Sequence, residues 1–401
     1  MSDVYIYDAI RTPRTRGRAD GALYEVKPIE LGACLLRELQ ARHDLDTSRV
    51  EDVLLGCTAP VGEQGGNIGK AVALQAGWSE TVPGAQIDRY CASSLDAVNI
   101  AAQGIAAGWA HLVVAGGVES MSRVPMGSAG GALLADPAFV MDHRSVPMGI
   151  AADLLATTGR WSREAVDAYA LESQRRAAKA QDGGRFDRSV VPVRDRNGLT
   201  IAERDDSIKR ESSAEKLAAL KPSFAALGDM GVDDHLLQKY PALARIEHVH
   251  TAGNSSAIVD GASAVLLGNE RAGKDLGLRP RGRVLMGALV ATDPSIIFRG
   301  PAPACRKALA LAGLTPSDID LWELNEAFAA VVLEFMREMD IGHDVINVNG
   351  GAIALGHPLG ATGAMLISTV LDELERQEKR RAMVTLCAAG GIGIATIVER
   401  A

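Results

Sequence analysis

Aromatic side chains are scarce: six Phe, four Trp and six Tyr make up 4% of 401 residues. Aliphatic residues and alanine must therefore build most of any core, and 42 glycines allow helices to lie close on a buried sheet. No basic stripe or polybasic arm is present, and the net charge is −8. That balance argues against nucleic acid as a partner. No apolar run reaches the ~20 residues of a membrane-spanning helix, so no membrane partner is expected. The opening MSDVYIYDAI lacks a charged region followed by an apolar run, so no secretory signal is expected. Cysteines number five, Cys34, Cys57, Cys91, Cys305 and Cys387, an odd count without CxxC spacing. A disulfide scaffold is not expected, and a reducing, cytoplasmic setting is.

A chain of 401 residues is long for a single core, so two or more lobes are expected. Residues 1–119 alternate strand and helix patterns: VYIYDAI, a helix from Pro28, VEDVLLGCT, GAQIDRY, the helix SSLDAVNIAAQGIAAG, and HLVVAGGVES. From about residue 276 the order repeats: RGRVLMGALV, the helix PAPACRKALALAGL, DIDLWELNE, the helix AFAAVVLEFMREM, VINVN, the helix ATGAMLISTVLDELERQ, then RAMVTLCAAGG and IGIATIVER. VVAGGVES stands where TLCAAGG stands in the second half, which reads as an internal duplication. Such alternation predicts α/β layering on central sheet structure. Residues 120–250 are charged and irregular apart from the amphipathic SREAVDAYALESQRRAAKAQ, and read as a surface subdomain. Residues 251–275 return to buried character and rejoin the first lobe.

Cys91 lies where a strand meets a helix, in QIDRYCASSLDAV. A thiol there feels the positive helix end, which is expected to lower its pKa. Position alone leaves nucleophile and inert core thiol equally open. Cys34, Cys57 and Cys305 read as inert core thiols. His357 sits in NVNGGAIALGHPLGATGA, a glycine-rich loop that suits a proton-transfer group better than packing. The loop matches neither the dinucleotide fingerprint nor a P-loop. Cys387, in TLCAAGGIG, taken alone reads as a strand thiol. Asn325, ahead of AFAAVVLEF, reads by itself as a helix cap. His248 and His250 form an HxH pair with no further ligand set, so no metal site is expected.

Together these segments resemble the thiolase family over nearly the whole chain. The resemblance rests on RTP near the start, the Cys91 segment, GGVESMSRVPM, SREAVDAYALESQRRA, LKPSF, TAGNSS, NEAF, GHPLGATG and the C-terminal Cys-Ala-x-Gly-Gly. It implies a duplicated α/β/α/β/α layered fold: an N-terminal lobe (1–119, completed by about 251–275), a loop subdomain over CoA (120–250) and a C-terminal lobe (276–401). It implies CoA and acyl-CoA as substrates, no cofactor, and a homodimer or homotetramer. Cys91 would accept the acyl group, His357 would activate it, and Cys387 would move the α-carbon proton. Asn325 with His357 would form one oxyanion hole, and the N–H groups of Cys91 and Ala389 the other. Ser256, Ala252 and Phe224 would contact CoA, while Met148 and Phe328 would line the acyl pocket. The reaction implied is thiolytic cleavage of 3-ketoacyl-CoA or the reverse condensation.

Three departures stand out. Pro147 and Ile297 replace the His and Met of short-chain biosynthetic members, which weakens an acetoacetyl-CoA-only reading. About 25 residues, Ala225 to Val249, separate LKPSF from HTAGNSS. Ala389 replaces a glycine, which is harmless unless that residue needs a positive φ. Two alternatives are a decarboxylating ketoacyl synthase, disfavoured because Cys387 stands where those enzymes carry a second His, and a non-catalytic acyl-CoA- or lipid-binding relative, disfavoured because Cys91 and His357 are both kept.

Overall fold

A computed structural model describes residues 2–401, the side chain of Leu134 excepted. Twelve strands are formed among them: β1 Val4–Arg11, β2 Thr15–Arg16, β3 Asp52–Gly56, β4 Ala85–Ile87, β5 Leu112–Ser120, β6 Val193–Arg194, β7 Thr200–Ala202, β8 Val259–Gly268, β9 Gly282–Ala291, β10 Leu321–Leu324, β11 Arg381–Ala388 and β12 Ile392–Arg400. The main sheet runs β10-β11-β12-β9-β1-β8-β5-β3-β4, with β2 beside β8, while β6 and β7 form a separate pair.

The order encodes a duplication. From β1 outward the pairings run antiparallel to β8, antiparallel to β5, parallel to β3 and parallel to β4. From β9 outward they run antiparallel to β12, antiparallel to β11 and parallel to β10, ending at a parallel bridge from Trp322 to Ile346. The halves meet where Val4, Tyr5 and Ile6 pair with Val284, Arg283 and Gly282. Each half thus repeats one wiring diagram, as the internal pattern of the sequence predicts.

Residues 345–349, expected as a strand, make only isolated bridges. Asn347 explains the interruption. Its backbone is left-handed, with φ 46°, and its side chain takes over the pairing. Oδ1 accepts the Leu324 N–H at 2.9 Å, and Nδ2 donates to the Leu324 carbonyl at 2.9 Å.

Three helical layers bracket the sheet halves. The Pro28–His43 helix packs outside β5 and β8, and the Pro301–Ala312 helix packs outside β9 and β12. Between the halves lie the Ser93–Ala106 and Thr362–Arg376 helices, which contact each other and strands of both halves. The second buries every residue from Thr362 to Leu371, so it is apolar or small on all sides. Close approach needs Gly363, where an added Cβ would lie 2.6 Å from the Leu95 Cβ. This is an α/β/α/β/α stack.

The region between the halves carries the Met148–Gly159 and Arg163–Asp182 helices. The stretch from Ala225 to Val249 folds into short helical turns that bury Leu236, Ile246 and Val249. Tyr240 Oη donates to Asp293 at 2.9 Å, and Lys239 pairs with the same carboxylate. The insertion therefore braces the loop that follows β9, where Ile297 adopts φ 55°. A β-branched residue pays strain in that region of backbone space, so packing from both sides must hold it there. Among the described residues, no helix is long and apolar enough to cross a membrane.

Candidate active site

The β4 strand ends at Ile87, and the Ser93–Ala106 helix begins six residues later. Between them the chain turns sharply through Tyr90, whose φ is 50°. Ser93 locks the turn: its hydroxyl accepts the Arg89 N–H at 2.8 Å and donates to the Tyr90 carbonyl. Arg89 in turn pairs with Asp96 at 2.6 Å, on the first turn of the helix. Cys91 is thereby presented inward and is nearly covered. Its thiol does not behave as the sequence suggests. Burial pushes it up to about 12, with Glu119 and then Asp88 adding negative charge nearby. Desolvation outweighs the helix end here, so the resting thiol is protonated.

His357 occupies the equivalent junction of the second half, ahead of the Thr362–Arg376 helix. Its N–H donates to the Ala257 carbonyl at 2.9 Å. Nδ1 lies 2.6 Å from the Thr362 hydroxyl, which also reaches the Pro358 carbonyl at 3.3 Å. With the hydroxyl donating to Pro358, the imidazole carries its hydrogen on Nδ1, a tautomer assigned from these partners. Nε2 then offers its lone pair and meets Asn325 Nδ2 at 3.2 Å. Burial, and next the Arg14 charge, pull the ring down to about 3, so it is uncharged at neutral pH.

Asn325 is no helix cap. The following helix starts at Ala329 behind Phe328, three residues too late. The Asn325 amide instead faces His357, and its Oδ1 is buried with no partner among the described residues. Such an atom is satisfied by a water or a substrate group.

Cys387 lies one residue from the end of β11, opposite Gly393 of β12. Burial raises its thiol well above the usual range, and the nearby Cys91 adds to the effect. Cys91, Leu359 and Ala388 belong to the same core between the two halves. The two thiols lie close enough for one to raise the other, and the imidazole is held between Asn325 and Thr362. Ala389 stays out of the left-handed region, which Gly390 and Gly391 occupy with φ 75° and 76°. The alanine is tolerated because the glycines beside it take the turn.

A second group gathers next to this one. Phe328 stands edge-on to Phe224 at 6.0 Å and to Phe298 at 5.4 Å. Met148 opens its helix beside them, and Gly149 leaves the room that the Phe224 ring fills. The segment holding Ala252 and Ser256 ties both groups together. The Ser256 N–H donates to Ala327, Ala329 donates back to Asn254, and Ala257 receives His357. Ala252 is exposed and Ser256 half-buried, so this segment reaches the surface.

Two residues not singled out from the sequence hold the His357 loop. Glu119 accepts from the Gly360 N–H at 2.8 Å, and from Thr58 and Gln64. Arg14 donates to the Gly356 carbonyl at 3.2 Å. Their only sequence signal is a charge inside an apolar or glycine-rich segment. Of the other thiols, Cys57 and Cys305 are buried and Cys34 is half-buried; desolvation pushes Cys34 and Cys305 up to about 12. Cys57 is raised beyond that range by burial and Glu119. The HxH pair is a brace: His248 and His250 each hydrogen-bond Asp153 at 2.7 Å, and His248 reaches Asp233 of the insertion at 2.9 Å.

Comparison with known proteins bears on this arrangement. A family model described as the thiolase N-terminal domain matches residues 4–235, and one described as the thiolase C-terminal domain matches residues 278–400. A steroid 3-ketoacyl-CoA thiolase of Mycobacterium tuberculosis is 41% identical, over 100% of this chain and 95% of its own length. A 3-oxoadipyl-CoA/3-oxo-5,6-dehydrosuberyl-CoA thiolase of Escherichia coli is 39% identical over 100% of both chains. Among solved structures, the acetyl-CoA acetyltransferase of Bacillus anthracis is 34% identical with a TM-score of 0.86, covering 100% of this chain and 99% of that one.

Proposed function

The chain belongs to the thiolase family, and from that premise we propose how its residues divide the chemistry. It is an acyltransferase that uses CoA to cleave 3-ketoacyl-CoA into acetyl-CoA and a shortened acyl-CoA, or runs the condensation in reverse. His357 Nε2 takes the Cys91 proton, and the thiolate attacks the keto carbon. The bond between that carbon and the α-carbon breaks, and the electron pair passes to acetyl-CoA as an enolate. Cys387 gives the α-carbon its proton. CoA then attacks the acyl-Cys91 thioester after yielding its own proton to the thiolate left on Cys387; the carbon–sulfur bond to Cys91 breaks, and the Cys91 thiolate takes back the proton held by His357. Splitting one hard step into two is the benefit of the covalent intermediate.

The nearness of two protonated thiols, together with a buried uncharged imidazole held against the Asn325 amide, supports this division most directly. In a dry pocket, charge separation between Cys91 and His357 is costly at rest. It becomes affordable once a carbonyl can carry the negative charge to preorganised donors. Asn325 Nδ2 with protonated His357, and the N–H groups of Cys91 and Ala389, are the proposed donors. Each such donor contributes about 3–4 kcal/mol to the transition state.

The acyl group is proposed to be larger than acetoacetyl. Phe224, Phe298 and Phe328 with Met148 offer an apolar wall, and Pro147 and Ile297 depart from the short-chain pattern. The relatives differ in their named acyl groups, from steroid to dicarboxylate, so the wall rather than the family sets the choice. Ala252, Ser256 and Phe224 are proposed to meet CoA. The protein is proposed to work in the cytoplasm as a homodimer or homotetramer, a reading supported by its unpaired thiols and by β4, which leaves a sheet edge open.

A panel of 3-ketoacyl-CoA esters, followed by loss of Mg²⁺–enolate absorbance on adding CoA, tests the substrate reading. Faster decay for longer or ring-bearing acyl groups than for acetoacetyl-CoA is expected. A preference for acetoacetyl-CoA would overturn the larger pocket, and no CoA-dependent decay with any ester would favour a binding protein.

A further inference from the structure

One buried cation close to the reacting groups has no part in the steps above. Arg14 follows β1 and is almost wholly enclosed. Its guanidinium donates to the Gly356 carbonyl at 3.2 Å, on the peptide that leads into His357. Gly356 cannot shift easily, because its φ is 93° and a Cβ there would lie 2.3 Å from Val259. Arg14 therefore bears on a fixed point of the histidine loop.

The charge on Arg14 is poorly neutralised. Asp205, from the inserted region, is its nearest acid, but Asp205 is already bound twice by Arg11, at 2.7 and 2.8 Å. Arg14 receives only its own N–H contact to Asp205 at 2.8 Å and a 3.8 Å approach from Nε. Nε makes no hydrogen bond among the described residues. Two guanidiniums thus share one carboxylate. Glu323 and Glu326 lie near, but burial raises both toward the uncharged acid, and Glu326 is occupied by Tyr169, Ser173 and the Ile353 N–H. Arg14 itself is pulled down by burial only to about 10 and stays charged at neutral pH.

We infer that Arg14 is a positioning residue for the His357 base: a buried cation that pins the loop at Gly356 and keeps the imidazole free of a second proton, with Asp205 as its partial counter-ion. This rests on the role proposed for His357. The groups that touch that ring are Asn325 and Thr362, which are uncharged, and the nearest carboxylate on its loop is Glu119, which holds the Gly360 N–H. A like charge disfavours protonation, and in a low-dielectric interior the effect carries over several ångströms. Asp205, by way of Arg14, thereby links the region between the halves to the loop that carries the base.

The acylation half-reaction separates this inference from the reading beneath it. CoA released from acetyl-CoA in a single turnover is measured from pH 4 to 9 for the wild type, Arg14→Lys and Arg14→Gln. Gln keeps a donor for Gly356 without charge, and Lys keeps the charge. In the wild type and Arg14→Lys, the rate is expected to show no acid limb above pH 5. In Arg14→Gln, burial still holds the ring down, so the acid limb is expected at a proton concentration lower than in the wild type by up to about tenfold, with the profile carried to pH 4. A rate profile for Arg14→Gln parallel to the wild type would overturn the inference, whatever the size of the uniform loss. A wild type that releases no CoA would instead sink the assignment of Cys91 and His357. Should Arg14→Gln fail to fold by circular dichroism, ¹⁵N-histidine spectra of the wild type and Arg14→Met decide. A His357 ring that gains its proton near pH 6.5 would refute the inference, and one that stays uncharged to a lower pH in the wild type than in Arg14→Met would support it.

Discussion

The two halves of this molecule share one wiring diagram but carry opposite chemical partners at the same junction. In the first half the turn before the middle helix is short, closed by Ser93, and delivers a sulfur. In the second it is a long glycine-rich loop, fastened by Ala257, Thr362, Glu119 and Arg14, and delivers an imidazole. The strand ends diverge likewise: β5 finishes at Glu119 and Ser120, while β11 carries Cys387. A duplicated scaffold brings equivalent positions face to face across the middle layer. It then needs only different side chains there to set a nucleophile against its base.

Four measurements break or sharpen this comparison. Removing the first half's contribution has the largest expected effect. Cys91→Ala should cut turnover by about 10⁴-fold or more while CoA affinity, read by calorimetry, is kept. Near-normal turnover would show that the first half supplies no nucleophile. Altering the second half's strand end is next. Cys387→Ser should lower carbon–carbon bond exchange by about 10³-fold while acylation of Cys91 by acetyl-CoA survives. Equal loss in both steps would mean that the halves do not divide the labour.

The third measurement concerns acid stability. His357 is held uncharged down to about pH 3, whereas an unfolded histidine takes its proton near 6.5. Between those values the unfolded chain binds the extra proton, so stability falls as pH falls through this window. His357→Gln should flatten that part of the dependence of Tm on pH. An unchanged slope would show that this ring does not contribute. The smallest effect belongs to Ala389→Gly. Because the positive φ values sit on the next two residues, turnover should stay within about twofold and stability should drop by about 0.5–1 kcal/mol. A large gain in rate would show that the alanine strains the oxyanion hole.

Much of this was legible in one dimension. Strand and helix periodicity gave the duplication, and Cys91, His357 and Cys387 stood out because each sits at a glycine-rich or strand-end turn. What the sequence hid depends on distance through space. The ionisation of Cys91 was misjudged because the helix end is local, whereas the burial that dominates comes from both halves. Asn325 reads as a cap until His357, 32 residues on, is seen beside it. Arg14 and Glu119 act on residues 342 and 241 positions away, beyond any periodic signal.

The seam between β1 and β9 spans only three residue pairs. Neither half, folded apart, would hold the full set of proposed reacting groups, since Cys91 lies in one and His357 in the other. Polypeptides cut in the turn just before β9 and made separately would each be chemically silent. Any turnover on mixing them would count the fraction that had docked, which makes catalysis itself a gauge of how the two copies of an old fold recognise each other.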